Sequence, residues 1–161
     1  MKNPFVPANT IVSKGVSTNR YNIRALTIND LVKDYDAVMS SFDRLKGVFG
    51  PKDTWPEGLT IEDNLIDLGW HQKEFQNKSS FAFTVMSKDE KICLGCVYIN
   101  PPSKLSFDSE VILWVRESEM ATGLDNHLFS TVKNWVKTDW WFNNVAYPGR
   151  DISWDDWEKS P

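Results

Sequence analysis

Cys93-Leu94-Gly95-Cys96-Val97-Tyr98-Ile99, entered from Ile92, is the stretch on which the fold turns. Side chains of an extended strand alternate between its two faces. Here both faces are apolar or small, the pattern of a strand that lies in the middle of a sheet. Upstream, Phe81, Phe83 and Val85 alternate with smaller or more polar residues. Only a short turn at residues 87–90 separates the two runs, so they pair as an antiparallel hairpin. Downstream, residues 101–106 form a loop and residues 111–115 read as another strand apolar on both faces.

Working outward, Tyr21, Ile23 and Ala25 alternate with Asn22, Arg24 and Leu26 as a first strand. Thr27 with Asp30, and Thr60 with Asp63, have the spacing of a capping box with Asp in place of Glu. After the first, Leu31, Tyr35, Val38, Phe42 and Leu45 give the apolar face of a helix that stops near Gly47. After the second, Ile61, Leu65 and Leu68 give the stripe of a helix that runs towards Phe75. Leu124, Leu128, Val132 and Trp135 share one face of a third helix, and residues 144–147 form a last strand ended by Pro148-Gly149.

The order β-α-α-β-β-β-α-β describes one α/β (α+β) domain with a mixed, mostly antiparallel central sheet flanked by helices. It covers residues 20–150. Residues 1–19 read as an irregular N-terminal arm, and residues 151–161 as an acidic tail carrying Trp154 and Trp157. If that tail does not fold back over the sheet, the open edge invites a second copy, so a homodimer is one expectation.

The formal net charge of -4 argues against a nucleic-acid binder, which needs a basic face. No apolar run approaches the ~20 residues that span a bilayer, and the first residues carry no signal-peptide pattern. A cytoplasmic protein is expected, with Cys93 and Cys96 reduced. Residues three apart in a strand face opposite ways, so the C-x-x-C pair is expected to be two core cysteines without metal or redox role. Eight tryptophans imply an aromatic-rich core or a pocket lined by rings.

The order of elements resembles the start of the GNAT family of acyl-CoA N-acyltransferases. So do Gly69-Trp70-His71 with Phe75, the run Phe81-Ala82-Phe83-Thr84-Val85, the Gly95-x-Val97-x-Ile99 strand and residues 110–116. The resemblance covers roughly residues 21–147. It implies that acetyl-CoA or another acyl-CoA is the co-substrate, with no metal, and that the acceptor is a small-molecule or peptide amine. The family's pyrophosphate motif, Arg/Gln-x-x-Gly-x-Gly/Ala, falls on Met120-Ala121-Thr122-Gly123-Leu124-Asp125. Thr122, Gly123, Leu124, Asp125 and Asn126 would then meet the cofactor, and the backbone near Leu113 and Val115 would polarise its thioester.

In the same resemblance Glu110, with Asp108 as its neighbour, is the candidate base that takes a proton from the substrate ammonium. Tyr147, with Tyr98 as the other choice, is the candidate acid. The chain departs from the motif at two positions. Met120 replaces a basic or amide residue, and Asp125 puts a carboxylate where a pyrophosphate would sit. A structural reading of Asp125 is that it follows an N-capping Thr122 and satisfies the helix's free N–H groups itself. The family's usual tyrosine acid belongs to a helix after the fifth strand, for which about a dozen residues after Gly149 leave little room.

Two functions follow as expectations. One is transfer of an acetyl or short acyl group to a primary amine by direct attack in a ternary complex. The other is a GNAT-like module without catalysis that binds a small ligand or a protein. An unrelated α+β ligand-binding domain is a third.

Overall fold

The computed structural model describes residues 4–161. Its strands are β1 (Gly15–Ser17), β2 (Tyr21–Ala25), β3 (Phe81–Ser87), β4 (Cys93–Asn100), β5 (Ser109–Val115) and β6 (Val145–Ala146). Its helices are α1 (Leu31–Met39), α2 (Phe42–Leu45), α3 (Ile61–Gln76), α4 (Leu124–Asp139) and α5 (Trp154–Lys159). The strands form one sheet in sequence order, antiparallel from β1 to β5, with β6 parallel to β5. This is the mixed, mostly antiparallel sheet expected from the sequence.

Helices cover both faces. On one, Leu124, Leu128, Val132, Trp135 and Val136 of α4 pack on Phe81, Phe83, Val85, Val97, Val111 and Leu113. Each such side chain contributes about 1.5–3 kcal/mol when fully buried. On the other face, Ala37, Val38 and Leu68 from α1 and α3 pack on Ala82, Met86, Tyr98, Ile112 and Trp114. The anticipated hairpin of β3 and β4 sits at the centre, buried on both sides.

Gly95 permits a close approach of β4 to β5, because a Cβ there would stand 2.1 Å from the Trp114 carbonyl oxygen. Met86 pairs with Cys93 while Val85 pairs with Gly95, so Leu94 is an extra residue on β4. That bulge breaks the alternation. Cys93 and Cys96 consequently lie on the same face, not on opposite faces as the strand period predicts.

Three local expectations need correction. Gly15–Ser17, placed in the irregular arm, is a strand paired with β2. The first helix is two helices: at Ser41 the hydroxyl donates to the Ala37 carbonyl (2.8 Å) and accepts the Glu117 N–H (2.8 Å), and the chain leaves helical geometry. In α3 the buried residues are Asn64 and Leu68, while Ile61 and Leu65 are exposed. The helix is turned so that the Asn64 amide donates to the buried Asp34 carboxylate of α1 (2.9 Å).

The acidic tail is ordered into α5, capped by Ser153, whose hydroxyl accepts the Asp156 N–H (3.1 Å). Trp157 is buried, 5.4 Å from the Phe107 ring, and the Leu105 N–H donates to the Pro161 carbonyl (3.0 Å). The tail therefore folds onto the loop between β4 and β5. No helix among the described residues is long and apolar enough to cross a membrane.

Candidate functional site

β5 and β6 stay together for only two residue pairs, Ser109 with Val145 and Glu110 with Ala146. Beyond Glu110 that edge of β5 has no strand partner among the described residues. A strand residue turns its N–H and C=O to the same edge, and neighbours alternate. Arg116 N–H faces β4, bonded to the Leu94 carbonyl (2.8 Å), and the Leu113 carbonyl faces the other way. The main-chain groups of Leu113 and Val115 thus point into the gap where β6 has diverged.

The gap opens into a cleft of about 290 Å³ lined by Leu113, Met120, Asp125, Gly149, Arg150 and Trp154 among others. At its mouth α4 begins. Gly123 is the N-cap residue with φ 76°, a left-handed conformation that glycine adopts without strain. No side chain caps this helix, and its first intrahelical bond runs from His127 N–H to the Gly123 carbonyl (3.2 Å). The N–H groups of Leu124, Asp125 and Asn126 find no protein acceptor among the described residues. Together they form the positive end of a 16-residue helix.

Arg150 occupies the gap itself. Its guanidinium donates to both Asp125 carboxylate oxygens (2.9 and 3.0 Å) and to the Leu113 carbonyl (3.1 Å). The guanidinium beside Asp125 holds that carboxyl below its ordinary pKa despite partial burial. Arg20 adds a second positive charge next to the helix start, donating to the Thr122 carbonyl at 3.4 Å.

No family model and no curated protein matches the chain. Solved structures do match. The ribosomal-protein-S5-alanine acetyltransferase of Vibrio fischeri superposes with a TM-score of 0.58 at 16% identity, over 76% of this chain and 66% of that one. The ribosomal L7/L12 alpha-N-protein acetyltransferase RimL, in complex with coenzyme A, gives 0.58 at 15% identity over 76% and 68%. A Bordetella pertussis protein assigned to the GNAT family gives 0.60 at 10% identity over 78% and 73%. The chain has the GNAT fold. It spans just under two thirds of the first of these enzymes.

The stretch from Met120 to Asp125 does run into a helix start, with Gly123 as the N-cap of α4. The side-chain roles differ. Thr122 does not cap α4, because its hydroxyl donates to the Glu119 carbonyl and carboxylate (2.8 and 2.9 Å). Asp125 does not satisfy the helix amides, because it is turned into Arg150. Asp125 does stand in the first turn of α4, but the expectation that it follows an N-capping Thr122 and satisfies the helix N–H groups is overturned. Arg150 was missed in sequence reasoning. A basic residue in a turn after Pro148-Gly149 carries no local signal, and its role arises only when that turn folds against α4.

Glu110 is half-buried at the closed end of the gap, where its Oε2 accepts the N–H and O–H of Ser103 (3.0 and 2.8 Å). Asp108 holds the entry to β6 by accepting the N–H groups of Asn143 and Asn144 (both 2.8 Å). Tyr147 follows β6 and packs on Phe129, and burial with the Asp151 charge pushes its phenol well above the ordinary value. Tyr98 is buried on the other face, with its oxygen accepting the Trp114 indole N–H (3.1 Å), and burial raises its pKa too.

Asp34, Cys93 and Cys96 have donor atoms within 4.8 Å of one another, all buried, and are the residues among those described that could share a metal ion. The Cys96 thiol donates to Asp34 at 3.4 Å. Its hydrogen bond with Cys93, together with burial and the neighbouring Asp34, pushes its pKa well up. The cluster is a buried, hydrogen-bonded part of the core.

Proposed function

We propose that this protein is an acyl-CoA-dependent N-acyltransferase that moves an acetyl or other short acyl group to a primary amine. The observation that carries the reading is the first turn of α4, beside the gap between β5 and β6, whose N–H groups have no protein acceptor among the described residues. Free amides at the positive end of a helix suit a phosphate. The ion pair with Arg150 neutralises Asp125, so the carboxylate that departs from the family motif does not confront an anion with net charge. The solved structures of similar fold include one holding coenzyme A.

On this reading Thr122, Gly123, Leu124, Asp125 and Asn126 hold the pyrophosphate through their main chain. Leu113 and Val115 offer backbone groups at the gap. When bound, acyl-CoA supplies an acyl group activated as a thioester. Glu110 is the group that takes a proton from the acceptor ammonium, since an amine must be neutral to act as a nucleophile. Tyr147 is the candidate donor to the leaving thiolate; its phenol stays protonated at neutral pH because burial and the Asp151 charge make it a weaker acid than an ordinary tyrosine.

A second reading keeps the GNAT fold as a binding module without cofactor. Arg150 favours it, because its guanidinium already satisfies the Leu113 carbonyl in the gap. A transfer assay with acetyl-CoA and a panel of primary amines separates the two. Thiol release that requires an amine, and falls in Glu110→Gln, supports the enzyme. No release with any amine supports the module.

A further inference from the structure

The spacing of Cys93 and Cys96 puts them on opposite faces of a regular strand, and the expectation that they hold no metal rested on that. The bulge at Leu94 removes the reason. Cys93 pairs with Met86 and Cys96 with Thr84, two residues of β3 that share a face. Both thiols therefore lie on the α1 side of the sheet. Asp34 of α1 meets them there, and one donor atom from each of the three residues lies within 4.8 Å of the others. Asp34 is 3% exposed, Cys93 1% and Cys96 0%.

The Cys96 Sγ stands 3.4 Å from Asp34 Oδ1, about the span across a tetrahedral ion with ligands at about 2.0–2.3 Å. The carboxylate is already oriented, because its Oδ2 accepts the Asn64 amide (2.9 Å) while Oδ1 faces the thiol. The Thr84 hydroxyl lies 3.6 Å from Cys93 Sγ, placed to donate to a thiolate. Outer partners of this kind hold ligands in position around bound metals. Asp34 also lines a cavity of about 230 Å³ bounded by α1, α3 and the sheet, which gives an ion a way in. No lysine or arginine lines that cavity, and Asp34 takes part in no salt bridge among the described residues. A buried carboxylate without a countercharge is costly, and a cation relieves it.

We infer that Asp34, Cys93 and Cys96 form a binding site for a thiophilic divalent cation of the zinc class. Two sulfur ligands disfavour Mg²⁺ and Ca²⁺, which take oxygen, and a carboxylate beside them suits a borderline ion such as Zn²⁺. Each thiol gives up its proton to solvent as its metal–sulfur bond forms. Water from the cavity takes the fourth position. The bound set carries two positive charges against three negative, and the Asn64 amide and Thr84 hydroxyl share the remaining charge by hydrogen bonding. The ion ties α1 to β4 on the sheet face opposite α4, so the site is independent of acyl transfer.

The test is a titration of the whole reduced protein with Co²⁺ in the absence of oxygen, followed by Zn²⁺. The inference expects a thiolate-to-cobalt charge-transfer absorption that saturates at one Co²⁺ per chain, disappears on adding Zn²⁺ and persists in excess Mg²⁺. Cys96→Ser is expected to lose most of that absorption and at least the roughly ten-fold in affinity that loss of an outer partner alone costs. Should Cys96→Ser fail to fold, X-ray absorption of the zinc-loaded wild type decides, and two sulfur neighbours at about 2.3 Å support the site. A shell of oxygen and nitrogen alone overturns it. So does the absence of charge-transfer absorption at saturating Co²⁺, and so does an unchanged absorption in Cys96→Ser shown by circular dichroism to be folded.

Discussion

Arg150 clasps Asp125 through two nitrogens at 2.9 and 3.0 Å and rests a further bond on the Leu113 carbonyl at 3.1 Å. The contact joins the turn after β6 to the first turn of α4 across the gap in the sheet. It also turns the carboxylate away from the helix amides.

Removing one partner of this pair exposes the other. In Arg150→Ala, Asp125 stays partly buried without a countercharge, and we expect a loss of about 1–3 kcal/mol, measured by urea unfolding at pH 7. The pH dependence has a defined sign. Arg150 depresses the Asp125 pKa in the folded state, so the stabilisation is present above the ordinary carboxylate pKa and is lost as pH falls through the folded value. The stability difference between wild type and Arg150→Ala therefore shrinks below about pH 4.

Gly123 holds a left-handed conformation in open space, with no atom within 4 Å of where a Cβ would stand. Gly123→Ala has backbone strain as its only penalty, about 1–2 kcal/mol. A fall in melting temperature of about 2–8 °C is expected. A Gly95→Ala change is more severe, because the added carbon meets the Trp114 carbonyl, and loss of soluble folded protein is the expected outcome.

Cys93 and Cys96 are at most 1% exposed, and the Cys96 thiol is held protonated. Neither is expected to react with a thiol reagent in the native protein, and both are expected to react after unfolding. Rapid modification of either in the folded state contradicts the buried cluster.

Trp157 ties α5 to the loop between β4 and β5. Trp157→Ala leaves a cavity and is expected to destabilise by about 3 kcal/mol. Protease nicking should then begin in the last ten or so residues, as seen by mass spectrometry.

The elements that the sequence revealed are those whose own pattern matches their surroundings. Phe81, Phe83 and Val85 alternate because both faces of β3 are covered, and Leu124, Leu128 and Val132 recur because α4 packs on a single sheet face. The elements that misled are those decided by a distant partner. Leu65 is apolar but exposed because Asn64 must reach Asp34 from another helix. The cysteines share a face because Leu94 is an extra residue opposite β3, and a strict period of two cannot register a bulge. At the site, Gly123 was readable as a helix start, whereas the bond between Asp125 and Arg150 joins residues 25 positions apart and leaves no local trace.

The open first turn of α4 is the proposed site for the pyrophosphate of an acyl-CoA. Isothermal titration of the wild-type protein with acetyl-CoA tests it most directly, with dephosphorylated pantetheine as the control that lacks the pyrophosphate. Micromolar binding of acetyl-CoA and far weaker binding of the control are expected. No heat at millimolar acetyl-CoA, from protein shown to be folded, would contradict it.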